Sequence, residues 1–98
     1  MTTPKAPGHL GPAGRKLWKR LLDEYEIDDP AGLTLLQSAC ESADRIEAAR
    51  KSIEEAGVVV RDRFGELRSN PACAIEHAAK MQLVRALRAL RLAPEDGA

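Results

Sequence analysis

The amino-acid sequence predicts a mainly α fold: three helices, the second and third forming a long antiparallel hairpin interrupted by a small β-hairpin. Three observations carry this expectation. Apolar residues recur at steps of three and four in three separate stretches. Two of those stretches open on a capping side chain followed by proline, Asp29-Pro30 and Asn70-Pro71. Between them, the β-branched run Val58 to Val60 meets a turn glycine, Gly65.

Residues 1–11, with Pro4, Pro7, Gly8 and Gly11, lack the apolar periodicity needed to pack and read as a flexible N-terminal arm. Pro12 suits the first turn of a helix, where its missing N–H costs nothing. Leu17, Trp18, Leu21, Leu22 and Tyr25 then trace one face of about four turns. Trp18 admits two roles here, core anchor of the first helix or interface hot spot.

Asp28-Asp29-Pro30 starts the second helix and Gly57 stops it, a span of about 40 Å at 1.5 Å per residue. Its apolar seam runs Leu36, Ala39, Ala43, Ile46, Arg50, Ile53, alternating three and four as in a coiled coil, with Arg50 interrupting it. A β-hairpin is expected over 58–68; standing alone it would be marginal, so it must rest on a helix or on a neighbouring subunit. Ser69-Asn70-Pro71 opens the third helix, expected to end near Leu92, with Ile75, Ala79, Leu83, Ala86, Leu87 and Leu90 on its apolar arc. Residues 12–93 read as one helical domain and 94–98 as a frayed tail.

The 98 residues leave little margin between burial and chain entropy. Sixteen of the apolar residues are alanine and only Trp18, Tyr25 and Phe64 are aromatic. Burial completed by a second subunit is therefore expected, with Trp18, Leu36, Ala43, Ile46, Arg50 and Ile53 as candidate oligomer-interface residues. A helix of 40 Å also exceeds the width of a ~100-residue globule, whose radius of gyration is about 13 Å, so the molecule should be elongated.

Lys plus Arg balances Asp plus Glu at 15 each, yet the charge is segregated. Residues 1–22 carry only basic groups, 23–29 only acidic ones, and 71–93 return to a basic excess. Two cysteines with no zinc-ribbon spacing favour a reduced, intracellular protein. No apolar run approaches the ~20 residues that cross a bilayer, so no membrane association is expected.

Material for catalysis is poor. Cys40, Cys73 and His77 could be assembled into a metal site, but two buried thiols and a surface histidine explain them better, because structural zinc normally takes four good ligands. Asp23, Glu24, Glu26, Asp28 and Asp29 read as a solvated helix end or a patch that meets a basic partner. No glycine-rich phosphate loop or nucleophile elbow occurs, and neither an enzymatic activity nor a cofactor is expected.

The basic groups are the stronger functional material. Arg15, Lys16, Lys19 and Arg20 on the first helix, Arg61, Arg63 and Arg68 on the hairpin, and Lys80, Arg85, Arg88 and Arg91 on the third helix are candidate phosphate contacts. Such contacts release counterions and give affinity without reading sequence. Repeated by the symmetry of a ring, a modest patch becomes a continuous basic surface.

The ordered residues Leu10, Leu17-Trp18, Leu21-Leu22, Leu33, Leu36, Cys40-Glu41, Ala48, Ala56-Gly57-Val58-Val59, Gly65, Asn70-Pro71, Leu87, Leu90 and Leu92-Ala93-Pro94 resemble the P27-type small terminase subunits of tailed bacteriophages. The resemblance runs from about Pro7 to Pro94, and its most specific block joins the long helix, a Gly-Val-Val strand, a turn glycine and Asn-Pro. It implies a non-catalytic homo-oligomer, often a ring, in the cytoplasm of a bacterial host. The partners it implies are viral double-stranded DNA, bound weakly and largely without sequence preference, and the large terminase subunit that packages and cuts the genome. The rival expectation is a structural or regulatory helical interaction module that binds no DNA; a small metal-dependent enzyme built on Cys40, Cys73 and His77 is a distant third.

Overall fold

A computed structural model describes residues 3–92. The elements are α1 (Pro12–Glu24), α2 (Pro30–Ala56), β1 (Val59–Arg61), β2 (Leu67–Ser69) and α3 (Pro71–Ala89). Helices α2 and α3 pack along one another as an antiparallel hairpin, α1 also packs on α2, and the two strands pair antiparallel in the connection between α2 and α3. The molecule measures 57 × 37 × 19 Å with a radius of gyration of 16.4 Å, well above that of a compact chain of this length.

Both expected cap-and-proline starts form. The Asp29 carboxylate accepts from Gly32 N at 3.0 Å, and Asn70 Oδ1 accepts from Ala72 N at 3.0 Å. Asn70 does more than cap: its amide donates to Gly57 O at 2.9 Å, and its backbone N–H donates to Val58 O at 2.7 Å. One buried side chain thus closes the end of α2, the base of the hairpin and the start of α3. Gly57, at φ +88°, makes the turn that brings them together.

The α2–α3 interface differs from the seam expected of α2. Leu36, Ala39, Ser42, Ile46 and Ala49 are buried, whereas Arg50 is exposed and reaches Glu76 of α3 at 3.4 Å. Ala49 takes the inward place assigned to Arg50, because α2 packs against α1 as well as α3 and its buried face is wider than a two-helix seam. On α3 the buried residues are Ala72, Ala79 and Ala86, one every seven, and these small side chains let the helices approach closely. Ile75, expected on that arc, is 53% exposed.

One core cluster joins α1, α2 and the segments flanking the helices. Leu10, Trp18, Ile27, Leu36 and Cys40 are buried together, with Leu17, Leu21, Leu22, Leu33, Leu90 and Leu92 packed around them. Several residues of the N-terminal segment contact the helices. Leu10 is 4% exposed, Trp18 Nε1 donates to Pro4 O at 3.1 Å, and Arg15 donates to the carbonyls of Leu10 and Gly8 at 2.8 and 3.0 Å. His9 Nε2 donates to Glu41 Oε2 at 2.6 Å. Polar anchoring to α1 and α2 replaces the missing apolar periodicity.

Regular α3 ends at Ala89, three residues before the expected end. Leu92 N–H reaches Leu87 O at 2.9 Å and Arg91 N–H reaches Arg88 O at 2.9 Å, the paired closure of a Schellman motif, with Arg91 at φ +60° where glycine is usual. The tail expected at 94–98 lies outside the described residues.

Candidate nucleic-acid interface

The packing sorts the sequence-predicted cations into two regions. Leu17, Leu21 and Leu22 on α1 and Leu90 and Leu92 past α3 share one core, which brings the basic turns of α1 and the C-terminal turns of α3 to the same end of the molecule. Lys16, Lys19 and Arg20 from α1 and Arg85, Arg88 and Arg91 from α3 are all exposed there. Among the described residues, no ion pair engages any of these six. Arg88 lies in the last turn of α3, where the helix dipole favours a cation.

Arg15 has a different task. Its guanidinium is spent on two backbone carbonyls of the N-terminal segment, so it holds the arm on α1. Lys80 stands 3.7 Å from Glu76, one turn earlier on α3 and shared with Arg50. Neither has the freedom of the six.

The second region is the hairpin. Asp62 organises it: one carboxylate oxygen accepts from Phe64 N at 2.8 Å and Glu66 N at 3.0 Å, and the other from Arg68 Nε at 2.7 Å. These donors, the Arg68 guanidinium foremost, hold the Asp62 carboxyl below its usual range. Arg61 donates to Gly65 O at 2.7 Å, and Arg63 sits 4.9 Å over the Phe64 ring. Phe64 itself is 75% exposed.

The six candidate oligomer-interface residues scatter. Trp18, Leu36 and Ile46 are buried inside the single chain, Ala43 and Ile53 are half-buried, and Arg50 is exposed in its pair with Glu76. The chain's own residues cover the three buried ones, Trp18, Leu36 and Ile46.

Cys40 is buried and Cys73 half-buried, while His77 is exposed. Burial, and then the charges of Asp44 and Glu41, push the Cys40 thiol up to about 12, which makes it an inert core residue. Among the described residues, no group of three or more His, Cys, Asp or Glu side chains is placed to hold a metal ion, and no helix is long and apolar enough to cross a membrane.

Two residues escaped the sequence reading. Arg45 is exposed on α2 and lines the shallow groove between α2 and α3 together with Ser38, Ser42 and Ile75. Asp44 accepts from Gly11 N at 2.7 Å and Gly14 N at 2.8 Å, capping α1 from another helix. The spacing of Gly11 and Gly14, which leaves the start of α1 without a capping side chain, was the one signal available.

A search of curated proteins and a search of solved structures each returned no match. A family profile described as "Phage terminase, small subunit" matches residues 14–98, most of the chain, including α2, α3 and α1 from Gly14 onward. The chain belongs to the phage terminase small-subunit family.

Proposed function

We propose that this chain is a P27-type small terminase subunit of a tailed phage or prophage: a non-catalytic homo-oligomeric adaptor, ring-forming, that works in the host cytoplasm. It binds viral double-stranded DNA through phosphate contacts and presents it to the large terminase subunit. The observation that carries the DNA reading is that Lys16, Lys19, Arg20, Arg85, Arg88 and Arg91 are all exposed, on or just past helices whose leucines share one core, and that none is in an ion pair among the described residues. Six exposed cations on or just past two helices suit a polyanion whose affinity comes from counterion release.

Affinity for random duplex DNA, measured by fluorescence anisotropy across a salt series, tests this. The logarithm of the binding constant should fall linearly with the logarithm of salt. Replacing Lys19, Arg20 and Arg88 by glutamine should reduce the slope by about 0.9 for each phosphate no longer neutralised. A slope unchanged by all three replacements would remove this end of the molecule from the interface.

A second reading, a helical protein-interaction module with no DNA binding, draws on the exposure of Val58, Val59, Phe64 and Leu67, an apolar surface that protein partners cover. A mobility shift with random DNA at low salt separates the two.

A further inference from the structure

Two features remain unused by the DNA reading: the hairpin tip and the acidic run between α1 and α2. The tip is a built object. Asp62 fixes its turn from three directions, Gly65 N–H closes it on Asp62 O at 3.0 Å, and Gly65 adopts φ +80°. A turn held so firmly presents Phe64 and its stacked Arg63 to solvent at low entropic cost on binding. Folding the chain gains nothing from a phenylalanine left 75% exposed.

At the other end of α2 lies a cleft of about 180 Å³ lined by Pro4, Leu22, Tyr25, Glu26, Ile27 and Asp28. It is aromatic-sized, since an apolar cavity of about 150 Å³ holds a benzene molecule. Its lining combines the apolar Pro4, Leu22, Tyr25 and Ile27 with the exposed acidic residues Glu26 and Asp28, a composition complementary to an aromatic ring carrying a guanidinium. The Trp18 bond to Pro4 O fixes one wall.

A chain cannot fill its own cleft. The tip follows the C-terminus of α2 and the cleft precedes its N-terminus, and the 27 residues between them form a rod of about 40 Å. The occupant must come from another copy.

We infer that the Phe64–Arg63 tip of one copy seats in the cleft of the next, Phe64 against Tyr25 and Leu22 and Arg63 against Glu26 and Asp28. This rests on the homo-oligomeric reading above and gives it a contact. The interface is heterologous, with a different surface used on each partner, so its repetition generates a closed ring or an open filament according to the rotation at each step. An aromatic anchor entering an apolar pocket with a charged rim is the make-up of an interface hot spot.

Native mass spectrometry of the full chain tests the contact with two variants. One alters the tip (Phe64→Ser with Arg63→Glu) and one the cleft (Tyr25→Ser with Glu26→Gln); these residues are exposed, and circular dichroism verifies that both variants fold. Each variant alone should lose the higher oligomer at micromolar concentration, with subunit affinity weakened at least about thirtyfold. Mixed in equal amounts they should give a dimer and nothing larger, because one intact tip then faces one intact cleft. Wild-type assembly unchanged in both variants would overturn the tip-and-cleft contact and leave the homo-oligomeric reading standing. Loss of assembly in each variant without a mixed dimer would also overturn the contact. A wild-type chain that stays monomeric throughout would overturn the homo-oligomeric reading itself.

Discussion

Asp44 and Gly14 meet across two helices: the carboxylate of α2 accepts the Gly14 amide at 2.8 Å and, through its other oxygen, the Gly11 amide at 2.7 Å. The N-terminus of α1 thus receives from α2 the cap that Gly11 cannot provide, together with a negative charge at the positive end of its dipole. Asp44→Ala should cost about 2 kcal/mol in urea denaturation, and Asp44→Asn less, because one acceptor survives. Gly14→Ala is the sharper test. Helix propensity favours alanine by about 1 kcal/mol, but its Cβ would stand 2.5 Å from Asp44 Oδ2 and 2.8 Å from Cys40 O, and the carbonyl has no freedom to withdraw. Net destabilisation of about 2 kcal/mol is expected, whereas Gly8→Ala, with open space around it, should stay within about 0.5 kcal/mol of the parent.

Asn70 binds three elements through one buried amide group. Asn70→Ala should destabilise by about 3 kcal/mol, the loss of a helix cap plus a carbonyl of Gly57 left without its donor. Asn70→Asp distinguishes the two roles. It keeps the acceptor for Ala72 N but sets a carboxylate oxygen against the Gly57 carbonyl, so it should recover only part of the loss. Equal stability of the aspartate variant and the parent in chemical denaturation would refute the second role.

Much of this fold was legible because its punctuation is local. Asp29-Pro30, Gly57, Gly65 and Asn70-Pro71 act through their own backbone conformation or the next few residues, and each stands where the sequence placed it. What escaped is long-range and polar. The contacts of Asp44 with Gly11 and Gly14, of His9 with Glu41 and of Trp18 with Pro4 join residues 14 to 33 positions apart, and apolar periodicity carries no trace of them. Arg50 was misplaced for a related reason. A seam drawn for two helices has one line, while α2 buries a broader face between α1 and α3, and Ala49 rather than Arg50 turns inward. At the candidate site, the identity of the cations was readable from sequence; their grouping was not, because it depends on Leu90 and Leu92 folding back onto the core of α1.

The two cysteines should differ in reactivity. Burial first, then the negative charges of Asp44 and Glu41, raise the Cys40 thiol to about 12, so it holds almost no thiolate at pH 8. Cys73 is half-buried near the start of α3. A disulfide exchange reagent at pH 8 should find one fast thiol per native chain and two in denaturant. Because the folded-state value of Cys40 is raised, its contribution to stability is fully present below its unfolded value, about 8.5, and is lost as pH rises from there toward 12. Two fast thiols in the native protein would contradict this burial.

Acid should loosen the hairpin before the helices. The Asp62 carboxyl is held below its ordinary value by Arg68, then by the Glu66 and Phe64 amides, and Glu41 is lowered chiefly by His9 and Gln37. For a carboxyl lowered on folding, the stabilisation is present above the unfolded value, about 4, and disappears as pH falls through the folded one. The Phe64 and Glu66 amide proton shifts should therefore titrate together below pH ~4, while helical signals persist. In Asp62→Asn both should be insensitive to pH over that range; titration that continues there would assign it to another group.

Arg91 offers a way to separate stability from nucleic-acid binding. It occupies the left-handed position that closes α3, at φ +60°, where a side chain costs about 1 kcal/mol and glycine does not. It is also one of the six exposed cations grouped at one end of the molecule. Arg91→Gly should therefore raise thermal stability by about 1 kcal/mol, retaining both closing hydrogen bonds to Arg88 and Leu87. The same change should lower DNA affinity and reduce the salt slope by about 0.9. Opposite signs in the two measurements are the expected signature, because a purely structural residue would move affinity and stability together and a purely electrostatic one would leave stability alone. Lys19→Gln supplies the electrostatic comparison: exposed on α1 and in no ion pair among the described residues, it should lower the salt slope by a similar amount with stability unchanged.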